Sequence, residues 1–206
     1  MFRRTSDASR LLDLAFVILA APLALPVMAV VALLIRVLDG RPVIFKQQRL
    51  GLNCTKITVL KFRTMVNNAD SLLGPDGVPT ASRLTRSGSI LRRTGLDELP
   101  QLISVLRGQM AIVGPRPITE EQRRRLSLSV RHPRFTVRPG LTGLAQVHGR
   151  NSIGWRERLQ WDADYVSNRN LLDDMKIILR TPLSLAFGGF EADQDPARHA
   201  KRIDTP

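Results

Sequence analysis

Residues Leu14 to Ile35 read LAFVILAAPLALPVMAVVALLI, a run without a single charged side chain. Its length is about what a helix needs to cross the hydrocarbon core of a bilayer. Arg3, Arg4 and Arg10 precede it, and Arg36 and Arg41 follow it. Cationic flanks on both sides set no orientation under the positive-inside rule and ask both ends to stay cytoplasmic. Pro22 and Pro26 lie one turn apart near the middle. Each removes a backbone donor and crowds the preceding turn, so the pattern predicts a kink or break there. A helix broken midway turns back and leaves by the face it entered; a kinked helix crosses. From these residues alone the two topologies stand level. A cleaved signal peptide led by Arg3 and Arg4 is a third reading, weakened by the lack of a clean small-residue cleavage site.

The rest of the chain is long enough for one globular domain with a real core. Of its 206 residues, 31 are Lys or Arg against 18 Asp or Glu, a formal charge of +13. Such an excess fits nucleic acid, an anionic membrane surface or phosphorylated substrates. Aromatic residues make up only 5%, and Tyr165 is the sole tyrosine, so stacking on nucleic-acid bases is poorly supplied. A lone cysteine, Cys54, excludes an intrachain disulfide, and His132, His148 and His199 show no metal-ligand spacing, which argues against zinc.

Downstream of Asp39-Gly40, residues Val43 to Phe45 and Lys56 to Phe62 read as short strands joined by a turn at Gly51-Leu52-Asn53. Gly74 to Pro79 is a loop by composition. Ser87 to Arg93 reads as a short helix. Leu99, Leu102, Ile103 and Leu106 fall at helical spacing, with Pro100 tolerable only in a first turn, so a helix is predicted from about Asp97 to Gly108. Val113-Gly114-Pro115-Arg116-Pro117 and Arg138-Pro139-Gly140-Leu141-Thr142-Gly143 read as rigid turns, and Thr119 to Arg131 as an arginine-rich helix. Two more helices follow over Trp155 to Val166 and Leu171 to Ala186, the second with Leu172, Met175, Ile178 and Leu179 on one side. The polar tail from Phe190 to Pro206 shows no periodicity and reads as disordered.

Within this frame, Leu96-Asp97-Glu98-Leu99-Pro100-Gln101-Leu102 sets two carboxylates side by side in a basic chain. Asp97 alone is equally well read as a helix N-cap, or with Thr94 as a capping box. Its surroundings point further: Arg92, Arg93, Arg116, Arg138 and Arg150 all stand in short turn-like segments, and arginine's planar fork suits phosphate oxygens. A carboxylate among arginines can hold a divalent metal or attack phosphorus. The rival class is a non-catalytic, membrane-anchored basic module binding anionic lipid or nucleic acid.

The chain resembles the monotopic phosphoglycosyl transferases, the bacterial sugar transferase family. The resemblance is carried by Ser9-Arg10-Leu11-Leu12-Asp13, Pro26, Leu60-Lys61-Phe62-Arg63-Thr64-Met65 and Leu91-Arg92-Arg93-Thr94-Gly95-Leu96-Asp97-Glu98-Leu99-Pro100-Gln101-Leu102. It continues through Val113 to Pro117, Val137 to Gly143 and Gly149-Arg150-Asn151, so that it spans roughly residues 9 to 185. Leu25 departs from it, standing where the family commonly has serine before the membrane proline.

The resemblance implies a mixed α/β, mostly helical fold. An N-terminal re-entrant membrane helix-break-helix (1–39) would precede a small cytosolic catalytic domain (40–188) with short strands and interfacial amphipathic helices, then the tail (189–206). It implies transfer of a phospho-sugar from a UDP-sugar to polyprenyl (undecaprenyl) phosphate, with release of UMP, at the cytoplasmic face of the bacterial inner membrane. Asp97 would be nucleophile and Mg2+ ligand, and Glu98 its paired acid. Lys61, Arg63, Arg92, Arg116, Arg138 and Arg150 would surround the diphosphate, with Asn151 near the sugar or nucleotide and Arg10 at a lipid phosphate. Pro22 and Pro26 would mark the membrane break. The implied partners are the two substrates and membrane lipids, without nucleic acid, and a homodimer is compatible with the sequence.

Overall fold

The computed structural model describes residues 7–72, 83–149 and 153–187. The apolar segment forms helix α1 (Asp7–Leu38), which is long and apolar enough to cross a membrane. Only 17% of its apolar window is buried, which is far too little for the core helix of a water-soluble domain. The buried positions are Ser9, Asp13, Val17, Ala24, Val31 and Ile35, spaced by four or seven and therefore on one stripe. Leu11, Ile18, Leu19, Leu23, Val30, Leu33 and Val37 are exposed on the rest of the surface.

The helix is fastened at both ends. Near its start, Arg10 donates to the carbonyls of Val105 (2.6 Å) and Leu106 (2.8 Å), and the Asp13 carboxylate accepts the Ile112 N–H at 2.8 Å. At its end, Ile35 is fully buried against Phe62 and Leu91, while the Asp39 carboxylate accepts from Arg86 N and the Ser87 hydroxyl. Pro22 and Pro26, where a kink or break is expected, both lie inside one helix that continues through them. Each proline removes a single backbone bond, and the turns on either side hold the helical path.

Strands β1 (Ile44–Leu50) and β2 (Lys56–Phe62) form an antiparallel hairpin in register from Ile44 opposite Phe62 to Leu50 opposite Lys56. The first strand runs five residues beyond the expected Val43–Phe45, because its polar side chains (Lys46 to Arg49) lack the apolar alternation by which strands are read. Its inner partners on β2 are Ile57, Val59 and Phe62, all buried.

Helix α2 (Gly88–Thr94) ends at Gly95, whose left-handed backbone (φ 73°) turns the chain into a 3-10 segment, Leu96–Gln101. Regular α-helix resumes only as α3 (Leu102–Leu106). The helix expected from Asp97 is therefore wound more tightly as far as Gln101, a stretch that includes Pro100 with its missing donor. Two further corrections concern length and type. The arginine-rich helix is α4 (Glu120–Arg125), closed by a capping box of Thr119 and Gln122 and ended well before Arg131, where Ser127 takes φ 50°. The supposed turns around Val113 and Gly140 contain two short parallel strands, β3 (Ala111–Val113) and β4 (Gly140–Thr142).

Helices α5 (Leu144–His148), α6 (Trp155–Asn168) and α7 (Leu171–Phe187) complete the described chain. On α7 the buried positions include Asp174 and Ile177, and Asp174 accepts the Tyr165 hydroxyl at 2.7 Å. Leu172, Met175, Leu179 and Leu183 are exposed, so most of the apolar stripe on this helix points outward. The loop at 74–79 and the tail from 189 lie outside the described residues.

Candidate active site

Three elements converge on the acidic pair. Strand β2 brings Lys61, the 3-10 segment brings Asp97 and Glu98, and the turn after β3 brings Arg116. Lys61 Nζ lies 2.7 Å from Glu98 Oε1, and the Arg116 fork closes on the same carboxylate at 2.6 Å (Nη2 to Oε1) and 3.4 Å (Nη1 to Oε2). Burial alone would raise the Glu98 pKa. Arg116 and Lys61 outweigh it and hold Glu98 ionised, well below the usual carboxylate range. Burial likewise pulls Lys61 down, against the upward pull of Glu98.

Asp97 is treated differently by the same surroundings. The N-cap of the 3-10 segment is Gly95, no side chain caps it, and the Thr94 hydroxyl bonds back to Ile90 and Leu91, so neither capping reading applies. Asp97 is 7% exposed and accepts no hydrogen bond among the described residues. Burial first, then the charge of Glu98, pushes its pKa from 3.8 up to about 6, against the pull of Lys61, Arg116 and Arg92. One carboxylate is thus locked by cations while its neighbour accepts no hydrogen bond from the described residues.

The other residues singled out from sequence separate into groups. Arg92 adds charge near Asp97 and donates to Thr64 Oγ1 at 2.9 Å. Arg138 precedes β4, and its main chain lies against the turn that carries Arg116, since a Cβ at Gly114 would stand 2.5 Å from the Arg138 carbonyl. Arg10 reaches the far end of α3 rather than the acidic pair.

Arg63 is buried and clasps the end of α1, with its guanidinium on the carbonyls of Asp39, Gly40 (3.2 Å) and Arg41 (3.1 Å) and on the Asn67 side chain. Arg63→Met should therefore strand these acceptors and cost about 2–4 kcal/mol of stability, seen as a lowered melting temperature. Arg150 and Asn151 lie outside the described residues. Sequence reading passed over Arg49 and Arg134, whose guanidinium groups bond to the carbonyls of Pro117 and Arg116; a single arginine in a polar stretch carries no signal of such a role.

Among the described residues no three His, Cys, Asp or Glu side chains gather into a metal cage. A single free carboxylate still fits Mg2+, which binds through one or two carboxylates and takes its remaining oxygens from water and substrate phosphates.

The family model described as bacterial sugar transferase matches residues 4–188. The chain belongs to the bacterial sugar transferase family. This sugar transferase is 40% identical over 186 residues to the UDP-glucose:undecaprenyl-phosphate glucose-1-phosphate transferase of Caulobacter vibrioides, covering 85% of this chain and 68% of that one. It is 37% identical over 191 residues to the exopolysaccharide production protein ExoY of Sinorhizobium fredii (84% and 83% covered). It is also 42% identical over 157 residues to the uncharacterized sugar transferase EpsL of Bacillus subtilis (71% of each). The sugar transferase is accordingly an enzyme that moves sugar phosphates, which removes the non-catalytic binding module from consideration.

Proposed function

We propose that this enzyme transfers a phospho-sugar from a UDP-sugar to polyprenyl phosphate, releasing UMP, through a covalent bond to Asp97. The observation that carries the reading is the buried Asp97 carboxylate beside a Glu98 already neutralised by Lys61 and Arg116. An Asp97 oxygen attacks the sugar-bearing phosphorus, the bond to the bridging oxygen breaks, and UMP leaves with that electron pair. An oxygen of polyprenyl phosphate then attacks the same phosphorus, the bond to Asp97 breaks, and the polyprenyl diphospho-sugar departs. Splitting one displacement into two in this way is the gain of nucleophilic catalysis.

Lys61, Arg92 and Arg116 offset charge that builds on the transferred group, which a preorganised cationic site does without rearrangement. Glu98, held ionised, keeps those cations in place. Mg2+ held by Asp97 together with the substrate diphosphate would supply further neutralisation of the leaving phosphate.

The same proposal places the enzyme on the cytoplasmic face of the bacterial inner membrane. Both ends of α1 are bonded to one domain, and the apolar outer faces of α1 and α7 stay uncovered. That arrangement supports a helix that enters and leaves from one side, bending at Pro22 and Pro26, better than one whose ends are divided by a bilayer.

The test is the enzyme in detergent, given a panel of UDP-sugars with Mg2+ and no lipid acceptor. One sugar should yield an equivalent of UMP and add the mass of one phospho-sugar to a peptide containing Asp97. Turnover that requires the lipid from the outset, with no adduct, would overturn the covalent route. Without metal Asp97 titrates near 6, so Mg2+ should bind more tightly as pH rises through that range, because the carboxylate must be ionised to hold it. A Mg2+ affinity, read by calorimetry, that stays flat from pH 5 to 8 would detach the metal from Asp97.

A further inference from the structure

This inference rests on the reading of the acidic pair above and concerns what aims Arg116. The turn that carries Arg116 contains Pro115 and Pro117, which lack N–H groups, so local donors are scarce and its carbonyls need partners from elsewhere. They find them in three other parts of the fold, two of them on β1. Pro115 O accepts from Gly140 N (3.0 Å), Arg116 O from Arg134 Nη2 (2.6 Å), Pro117 O from Arg49 Nη1 (2.7 Å) and Ile118 O from Leu50 N (2.8 Å).

Arg134 is the unusual member of this set. Its side chain is 2% exposed and lies 3.4 Å from Asp162 on α6, itself 3% exposed. A buried ion pair is a poor source of stability, since desolvation offsets most of its attraction and apolar residues of equal volume often serve as well. An apolar side chain, however, has no donor for the Arg116 carbonyl. A rigid guanidinium reaches it with little freedom left to lose, and the nitrogen that donates to the Arg116 carbonyl also faces Asp162 Oδ2.

We propose that Arg134, backed by Asp162, is a positioning residue for the transfer reaction. It fixes the main chain at Arg116 so that the Arg116 fork stays on Glu98. It acts only through Arg116, and it ties α6 to the acidic pair.

The test is a double-mutant cycle in the full chain, measuring kcat and KM for the UDP-sugar together with melting temperature. Arg134→Met should lower kcat about 30-fold in the otherwise native enzyme, as expected for a reacting group displaced by about an ångström, with KM held within about threefold. In an Arg116→Met background the same change should cost less than about twofold, because no fork remains to be aimed. Arg134→Lys keeps a charge opposite Asp162 but lacks the planar fork, so it should show a smaller loss that also vanishes in that background. This variant carries the cycle if Arg134→Met does not fold. Equal losses in both backgrounds, unchanged turnover, or an effect on KM alone would overturn the proposal and make Arg134 a packing residue. Full turnover by Arg116→Met alone would instead overturn the reading of the acidic pair, and this inference with it.

Discussion

Asp97→Asn is expected to reduce transfer by on the order of 10⁴-fold or more, the scale on which enzymes lose turnover when a covalent nucleophile is removed. The adduct should disappear with it. The amide keeps the shape of the carboxylate but has no anionic oxygen to give to phosphorus. The same substitution should make the protein more stable at neutral pH, which ordinary damage to a fold does not do. Asp97 rises from 3.8 to about 6 on folding, mainly through burial, so the folded chain holds its proton more tightly than the unfolded chain. Stability therefore falls as pH climbs from about 4 to about 6 and stays lower above that window. At about 1.4 kcal/mol per pH unit, the ionised group costs on the order of 3 kcal/mol at pH 7.5. Asparagine carries no such charge. Its melting temperature should exceed that of the native enzyme by several degrees at pH 7.5 without metal, and match it at pH 4. An Asp97→Asn protein that is fully active, or less stable at pH 7.5, would contradict the electrostatic picture of the site.

Gly140→Ala should be the most damaging small substitution. An added Cβ would stand 2.1 Å from Gly114 N and 2.3 Å from Thr142 O, both main-chain atoms that cannot swing aside as a side-chain tip can. The pairing of β3 with β4 must open to admit it, at a cost of about 3 kcal/mol or more. Because that pairing also holds the turn that carries Arg116, through Gly140 N on the Pro115 carbonyl, activity should fall with stability, by at least about tenfold. Gly40→Ala is the comparison. Nothing lies within 4 Å of that Cβ, and only its left-handed backbone (φ 79°) resists, so a loss of about 1 kcal/mol is expected. Denaturant melts of the two variants, with transfer assays alongside, would separate steric exclusion from loss of chain flexibility.

Helices α1 and α7 were legible from the chain, the first from an unbroken apolar run and the second from an apolar stripe at helical spacing. Strands β3 and β4 were not. Three residues leave no period to count, and glycine at position 140 reads as a turn until another backbone is known to press against it. The apolar stripe of α7 was legible, but its buried Asp174 was not, since it defies the rule that apolar residues mark the inside. At the site, adjacency in sequence brought out Asp97 and Glu98, and proline-bounded turns brought out Arg116. The division of labour within the pair depends on which carboxylate the Arg116 fork and Lys61 reach, and no spacing encodes that. Arg63 shows the converse: its place in a basic motif suggests a phosphate, yet its guanidinium spans the end of α1.

The double fastening of α1 bears on how this protein can be handled. Val17 and Ala24 belong to the same cluster as Val59, Val105 and Ile112, and Ile35 seals a second one against Phe62 and Leu91. A chain begun at residue 40 would lose more than its hold on the bilayer. It would uncover a greasy trough running beneath the hairpin and α3, and forfeit the guanidinium clip on α3 and the carboxylate brace on β3. Enzymes tethered by a flexible leash survive being cut free; this one carries its anchor as a wall of its own interior, and trimming it for solubility should yield aggregate rather than a working fragment.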